Sequence, residues 1–223
     1  MKFESITMEN FMRYKGRNHI EFSCDDVKNV TVVLGDNTVG KTTIAQAFRW
    51  GLYGALMANG TKSAGDFQLL NTDILEMMDA NSRAKVKVEI AAVDEEKRYI
   101  ITRETTYTRA FPKLESREFQ KKCAMRITEL EDMESYVEVD SNEIETLINE
   151  LFPKNLSHYF LFDGERWNDV SVGGVRENIK ESVHILTGLS AYREAKNHLK
   201  DMGSNSVIKK FRSEIKGLSL IHI

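Results

Sequence analysis

Eight consecutive residues, Gly35-Asp36-Asn37-Thr38-Val39-Gly40-Lys41-Thr42, fit the pattern G-x-x-x-x-G-K-S/T with no position missing. That spacing is what gripping a phosphate chain requires. Small residues let successive backbone N–H groups curl around a β-phosphate, and a helix opening at Lys41 adds the positive end of its dipole. The Lys41 ammonium then reaches the β- and γ-phosphates, and the Thr42 hydroxyl ligates Mg²⁺. With Thr43 beside them, these residues form the candidate contact set for a nucleoside triphosphate, ATP, and its Mg²⁺.

Elements on both sides must hold that loop. Residues 30–34, Val-Thr-Val-Val-Leu, are β-branched and apolar on both faces but for Thr31, which predicts a buried central strand of the parallel type. Residues 42–53 predict a helix with Ile44, Phe48 and Leu52 on one face and Gly54 closing it. Upstream, Phe3, Ile6, Met8, Ile20 and Phe22 predict an antiparallel pair, with Lys15-Gly16-Arg17-Asn18 as its turn.

A P-loop also needs an acid near the metal, at the end of a strand. Two segments offer one. Asp94 and Glu95 follow Lys85-Val86-Lys87-Val88-Glu89-Ile90, whose alternation leaves one face wet, so they read as the turn of a hairpin continuing into Tyr99-Ile100-Ile101. Phe160-Leu161-Phe162 is apolar on both faces and ends in Asp163-Gly164-Glu165. Asp163 is therefore the candidate beside Mg²⁺ and Glu165 a candidate for positioning water, although Asp-Gly after a strand is also an ordinary turn. Between them, Asp140 and Glu143 predict the start of a helix holding Ile144, Leu147, Ile148 and Leu151, ended by Pro153.

Composition excludes several classes. The 223 residues suffice for a packed core without staples. There is no run of 18 apolar residues to span a membrane, and the alternating N-terminus is no secretory leader, so the expectation is cytoplasmic. Cys24 and Cys123 read as reduced thiols, and the five histidines form no metal-binding spacing. A net charge of −3 rules out a uniformly positive coat but not a local basic face. Residues 113–126 carry five basic against two acidic residues, and residues 192–216 seven against three. Each run is either a solvated face or a nucleic-acid contact.

The P-loop, together with Glu9-Asn10-Phe11, Ile20-Glu21-Phe22 and Gly51-Leu52-Tyr53-Gly54, resembles the N-terminal lobe of SbcC-type ATPases of the structural-maintenance-of-chromosomes class. Ile185-Leu186-Thr187-Gly188-Leu189 resembles the passage from that lobe into a coiled coil. Tyr159-Phe160-Leu161-Phe162-Asp163-Gly164-Glu165 is most similar to the DndD-type DNA sulfur-modification and defence ATPases. The resemblance implies an α/β P-loop head of the ABC type, with a mixed sheet, an antiparallel strand layer and helices over 1–190. A coiled-coil start follows over 191–216, and residues 217–223 read as a broken-frame or appended tail. It implies an ATP hydrolase whose catalytic glutamate and signature motif lie in a C-terminal lobe, with Lys41, Asp163 and Glu165 as this chain's catalytic set. Asp163 stands where the class has a glutamine, and Thr38 where it has a second loop glycine. Arg13 is either a nucleotide neighbour or an exposed strand residue.

The implied partners are double-stranded DNA, the chain's own C-terminal lobe, a second head in a homodimer, and a nuclease or DNA-modification subunit, with no membrane. The expected roles are DNA processing, repair, sulfur modification or phage defence. Alternatives are a nucleotide-gated, non-hydrolysing DNA clamp and, less favoured, a complete small P-loop kinase. A transporter subunit would need a signature motif and second acidic strand within about 100 residues of the loop, and the sequence shows neither.

Overall fold

The computed structural model describes residues 1–36, 39–56, 68–110, 115–154, 157 and 161. The chain divides into two compact units, Met1–Asp163 and Gly164–Ile223, and every described residue lies in the first. The expected coiled coil at 191–216 and tail at 217–223 therefore lie outside the described residues.

Six strands, β1 (Lys2–Phe11), β2 (Tyr14–Glu21), β3 (Arg83–Asp94), β4 (Lys97–Arg109), β5 (Ser116–Glu129) and β6 (Asp132–Glu138), form one sheet in the order β2-β1-β3-β4-β5-β6. All five described pairings are antiparallel. Among the described residues three helical elements accompany them: α1 (Lys41–Tyr53), α2 (Thr72–Met77) and α3 (Ile144–Leu151). Strand periodicity of two puts the apolar residues of each strand on one face. Ile6, Ile90, Ile101 and Met125 are cross-strand partners in one row, each essentially excluded from water. Against the core that they build, α1 lays Ala47, Phe48 and Leu52. The opposite face carries Thr7, Glu89 and Thr102 in register. There Glu89 accepts from Lys87 (2.9 Å) and Thr102 (3.3 Å). Burial opposes ionisation of Glu89, but these donors outweigh it and hold its carboxyl below the ordinary value.

The β3–β4 hairpin forms as read, with Asp94 opposite Lys97 and Glu95 at φ 52°. Asp94 pairs with the terminal amine of Met1 at 2.8 Å. It sits at the end of the sheet away from the β1–β2 turn, roughly 30 Å off along the ten residues of β1. That distance removes Asp94 from the phosphate loop.

Two expectations are corrected. Residues 30–34 form no strand: Val30, Val32 and Leu34 are 75%, 71% and 87% exposed. A central strand needs neighbours for its backbone groups, and none of the six strands pairs with this run. Next, the β1–β2 turn is Met12-Arg13, with Phe11 opposite Tyr14 and Met12 at φ 50°. Two-residue hairpin turns with positive φ match strand twist, while Lys15, Gly16, Arg17 and Asn18 all lie within β2. The Leu161 N–H donates to the Ser157 carbonyl at 2.7 Å, and the rest of the run 159–162 lies outside the described residues.

The C-terminal end of α1 is fastened twice. Gly54 takes the left-handed conformation (φ 64°), and its N–H returns to the Trp50 carbonyl at 2.8 Å. Arg103 of β4 donates to the Gly51 and Leu52 carbonyls (3.2 and 3.1 Å) and pairs with Glu145 of α3 (2.8 Å). One guanidinium thus satisfies helix-end acceptors and ties α3 to the sheet. Tyr53 beside it is less well served. Its hydroxyl is buried without a hydrogen-bond partner among the described residues, and burial pushes its pKa from 10.0 to about 12, against a smaller opposing pull from Arg49. The folded state therefore holds the phenolic proton more tightly than the unfolded chain, so stability falls as pH climbs above 10 toward about 12. Tyr53→Phe should abolish that part of the alkaline loss while leaving neutral-pH stability unchanged or raised, as denaturant titrations across that range would show. An identical alkaline slope in both proteins would contradict this.

Candidate functional site

The phosphate-loop helix begins without a conventional cap. Gly40 stands at its N-cap with φ 115°, and no described side chain accepts from the first turn, which also contains no acid. The first intrahelical bond runs from the Ile44 N–H to the Gly40 carbonyl (3.3 Å), so the N–H groups of Lys41, Thr42 and Thr43 have no acceptor within the helix. The short α2 shows the contrast: there the Asn71 carboxamide oxygen accepts from the N–H groups of Asp73 and Ile74. An uncapped, acid-free helix start is a place for an external anion.

The side chains around it agree. Lys41 and Thr42 are exposed, and Thr43 turns into the core at 7% exposure. The Lys41 ammonium donates to the carbonyls of Gly35 and Asp36, the latter at 2.7 Å, and so spans the loop from within. Gly35 has Val39 against it, a Cβ there falling 2.8 Å from the Val39 methyl, so a side chain at that glycine would have to push Val39 aside. This donor set fits a polyphosphate with its cation: backbone N–H groups and one ammonium for the oxygens, and one hydroxyl for Mg²⁺.

Sequence reasoning missed Tyr14. Its hydroxyl donates to the Gly40 carbonyl at 3.3 Å, and its ring lies 3.4 Å from where a Cβ on Gly40 would stand. Partial burial raises its phenol pKa. The contact joins positions 26 apart, which no local pattern can reveal. Tyr14 follows the Met12-Arg13 turn, and that turn is itself tethered. The Met12 N–H reaches the Leu69 carbonyl (2.6 Å), and Asn71 donates to the Met12 carbonyl (2.7 Å). Arg13 is exposed at the tip of this hairpin, next in sequence to the residue touching the loop.

Asn37, Thr38, Asp163 and Glu165 lie outside the described residues. The chain just before Asp163 is described at Leu161, which is buried and whose carbonyl accepts from Arg49 of α1. Of the two basic runs, 192–216 lies outside the described residues. The other, apart from Lys113, which lies outside the described residues, falls in β5, and its described basic residues have separate surroundings. Arg117 lines a cleft with Arg83 and Arg109, whereas Lys121 pairs with Glu118 (2.6 Å) and Arg126 lies over the Tyr136 ring.

A glycine loop opening an uncapped helix that packs on a sheet is the arrangement of a P-loop nucleotide-binding domain. Residues 5–217 match the family described as the AAA domain, and the chain belongs to that family of ATPase domains. ATP, typically with Mg²⁺, is what the family takes. No curated protein matches the chain. Among solved structures it is similar to one described under "Structural biochemistry of ATP-driven dimerization and DNA stimulated activation of SMC ATPases". The identity is 15% and the TM-score 0.47, covering 80% of this chain and 99% of that one. No described helix is long and apolar enough to cross a membrane.

Proposed function

We propose that the chain is the ATP-binding half of an SbcC/SMC-like ATPase head, gripping Mg-ATP with residues 35–43. Arg13 and Tyr14 flank the nucleotide, and Thr42 and Asp163 stand on the metal side. The observation that carries the reading is the uncapped start of α1 behind a left-handed Gly40, with Lys41 reaching across the loop. A second lobe and a second head complete the site, so that binding, dimerisation and hydrolysis are coupled to work on double-stranded DNA: processing, repair, sulfur modification or phage defence. Support for a completing lobe comes from Val30, Val32 and Leu34, whose exposure leaves an apolar, β-prone run beside the loop that no described strand pairs with. Phosphoryl transfer is mostly positioning and charge stabilisation, so a site divided between lobes makes turnover depend on assembly.

The 223-residue chain should accordingly bind Mg-ATP in a calorimetric titration yet release phosphate slowly, with turnover restored by a C-terminal lobe added in trans. Rapid hydrolysis by the chain alone would sink the divided-site reading. Dimerisation on ATP with no hydrolysis even after the lobe is supplied would select the runner-up, a nucleotide-gated DNA clamp.

A further inference from the structure

At the end of the sheet that also holds the Met12-Arg13 turn, strands β3, β4 and β5 bring three arginines to one cleft. Arg83 opens β3, Arg109 closes β4, and Arg117 follows the start of β5. Register places Thr108 opposite both Arg83 and Arg117. The cleft has a volume of about 440 Å³, and the described residues lining it, Asn81 and Thr108 among them, include no carboxylate. Arg109 is held from behind, donating to the Met78 and Glu76 carbonyls at 2.8 and 3.3 Å at the end of α2. Arg83 and Arg117 are exposed and make no ion pair among the described residues.

The neighbouring aromatic gives the cleft a second chemical character. Between the pairs Thr106–Gln120 and Tyr107–Glu118 the register shifts, leaving Phe119 as the extra residue of a β-bulge. A bulge re-aims a side chain. Phe119 is 54% exposed, and the Arg83 guanidinium stacks 3.8 Å from its ring centroid. Guanidinium forks match phosphate oxygens two at a time, and a flat aromatic beside them suits a sugar or base. An acidic peptide would satisfy the arginines but gives no role to the ring.

We infer that the Arg83–Arg109–Arg117 cleft, with Phe119 at its edge, binds the phosphodiester backbone of DNA. This deepens the DNA-coupled reading above and rests on it for the choice of nucleic acid. The full 223-residue chain would be titrated by fluorescence anisotropy against a labelled duplex, a single strand of equal length, and polyglutamate. Arg83→Glu and Arg117→Glu should each weaken DNA binding roughly tenfold or more and flatten the salt dependence by about one phosphate contact apiece. Phe119→Ala should weaken single-strand binding in particular. Lys97→Glu, at the far turn, should change nothing.

Loss on the duplex, the single strand or both supports the cleft and says which form carries the phosphates. DNA affinity unmoved by the arginine reversals, or moved equally by Lys97→Glu, overturns it. Tighter, arginine-dependent binding of polyglutamate than of either DNA also overturns it, in favour of an acidic peptide. Mg-ATP affinity measured on the same variants separates the two readings. ATP bound without any DNA binding refutes the cleft and leaves the P-loop reading standing.

Discussion

Lys41→Ala should remove measurable ATP binding while leaving the fold intact. The side chain is exposed, and its described partners are two carbonyls of its own loop, Gly35 and Asp36. Little native packing is lost when it is truncated, so the unfolding midpoint should stay within about 0.5 kcal/mol of the parent. Against phosphate oxygens the same ammonium makes charge-assisted bonds worth about 1.5–3 kcal/mol each. Two of them place the expected loss at roughly 100-fold or more in affinity, at 1.4 kcal/mol per factor of ten. Lys41→Arg should not rescue it, because a planar fork cannot occupy the place of a compact ammonium in so tight a loop. Calorimetric titration of both variants with Mg-ATP checks this. Parental affinity in the alanine variant would mean that the loop does not hold the triphosphate.

Local chemistry made parts of this site legible in the sequence. The loop pattern, the 3.6-residue spacing of Ile44, Phe48 and Leu52, and the glycine that ends the helix all lie within 20 residues. The helix Lys41–Tyr53 and its cap at Gly54 follow that pattern. The β3–β4 hairpin was legible for the same reason, since strict alternation and an acidic turn are adjacent in the chain. Strand β5 was hidden. Its bulge at Phe119 breaks the alternation, and its first half is exposed and mixes Arg117, Glu118, Lys121 and Lys122, so it reads as charge alone. The β1–β2 turn was misplaced because Gly16 and Asn18 carry turn chemistry inside a strand, where Gly16 takes φ 67° and its N–H meets Asn10. Residues 30–34 show the opposite limit. Their composition states a preference for burial between strands, but composition cannot supply the neighbours.

Gly51→Val should be strongly destabilising, and it tests whether the helix that carries Lys41 is seated by close approach to the sheet. A Cβ at Gly51 would fall 2.7 Å from the Ile90 terminal methyl and 3.0 Å from a Val88 methyl. The Ile90 methyl is the end of a flexible side chain and can turn aside. The Val88 methyl sits on a branched Cβ and cannot. Alanine therefore sets an overpacking cost of about 1–3 kcal/mol against the roughly 1 kcal/mol that it gains over glycine in helix propensity. Its net effect should be small, at most about 2 kcal/mol. Valine keeps little of that gain and adds two more methyls where α1 meets β3, so a loss of about 3 kcal/mol is expected. Denaturant unfolding would measure it. Val88→Ala clears the space that the new side chain needs, so the double variant should be more stable than the sum of the single losses predicts. Strict additivity, or a valine variant as stable as the parent, would show that α1 does not owe its seat to Gly51.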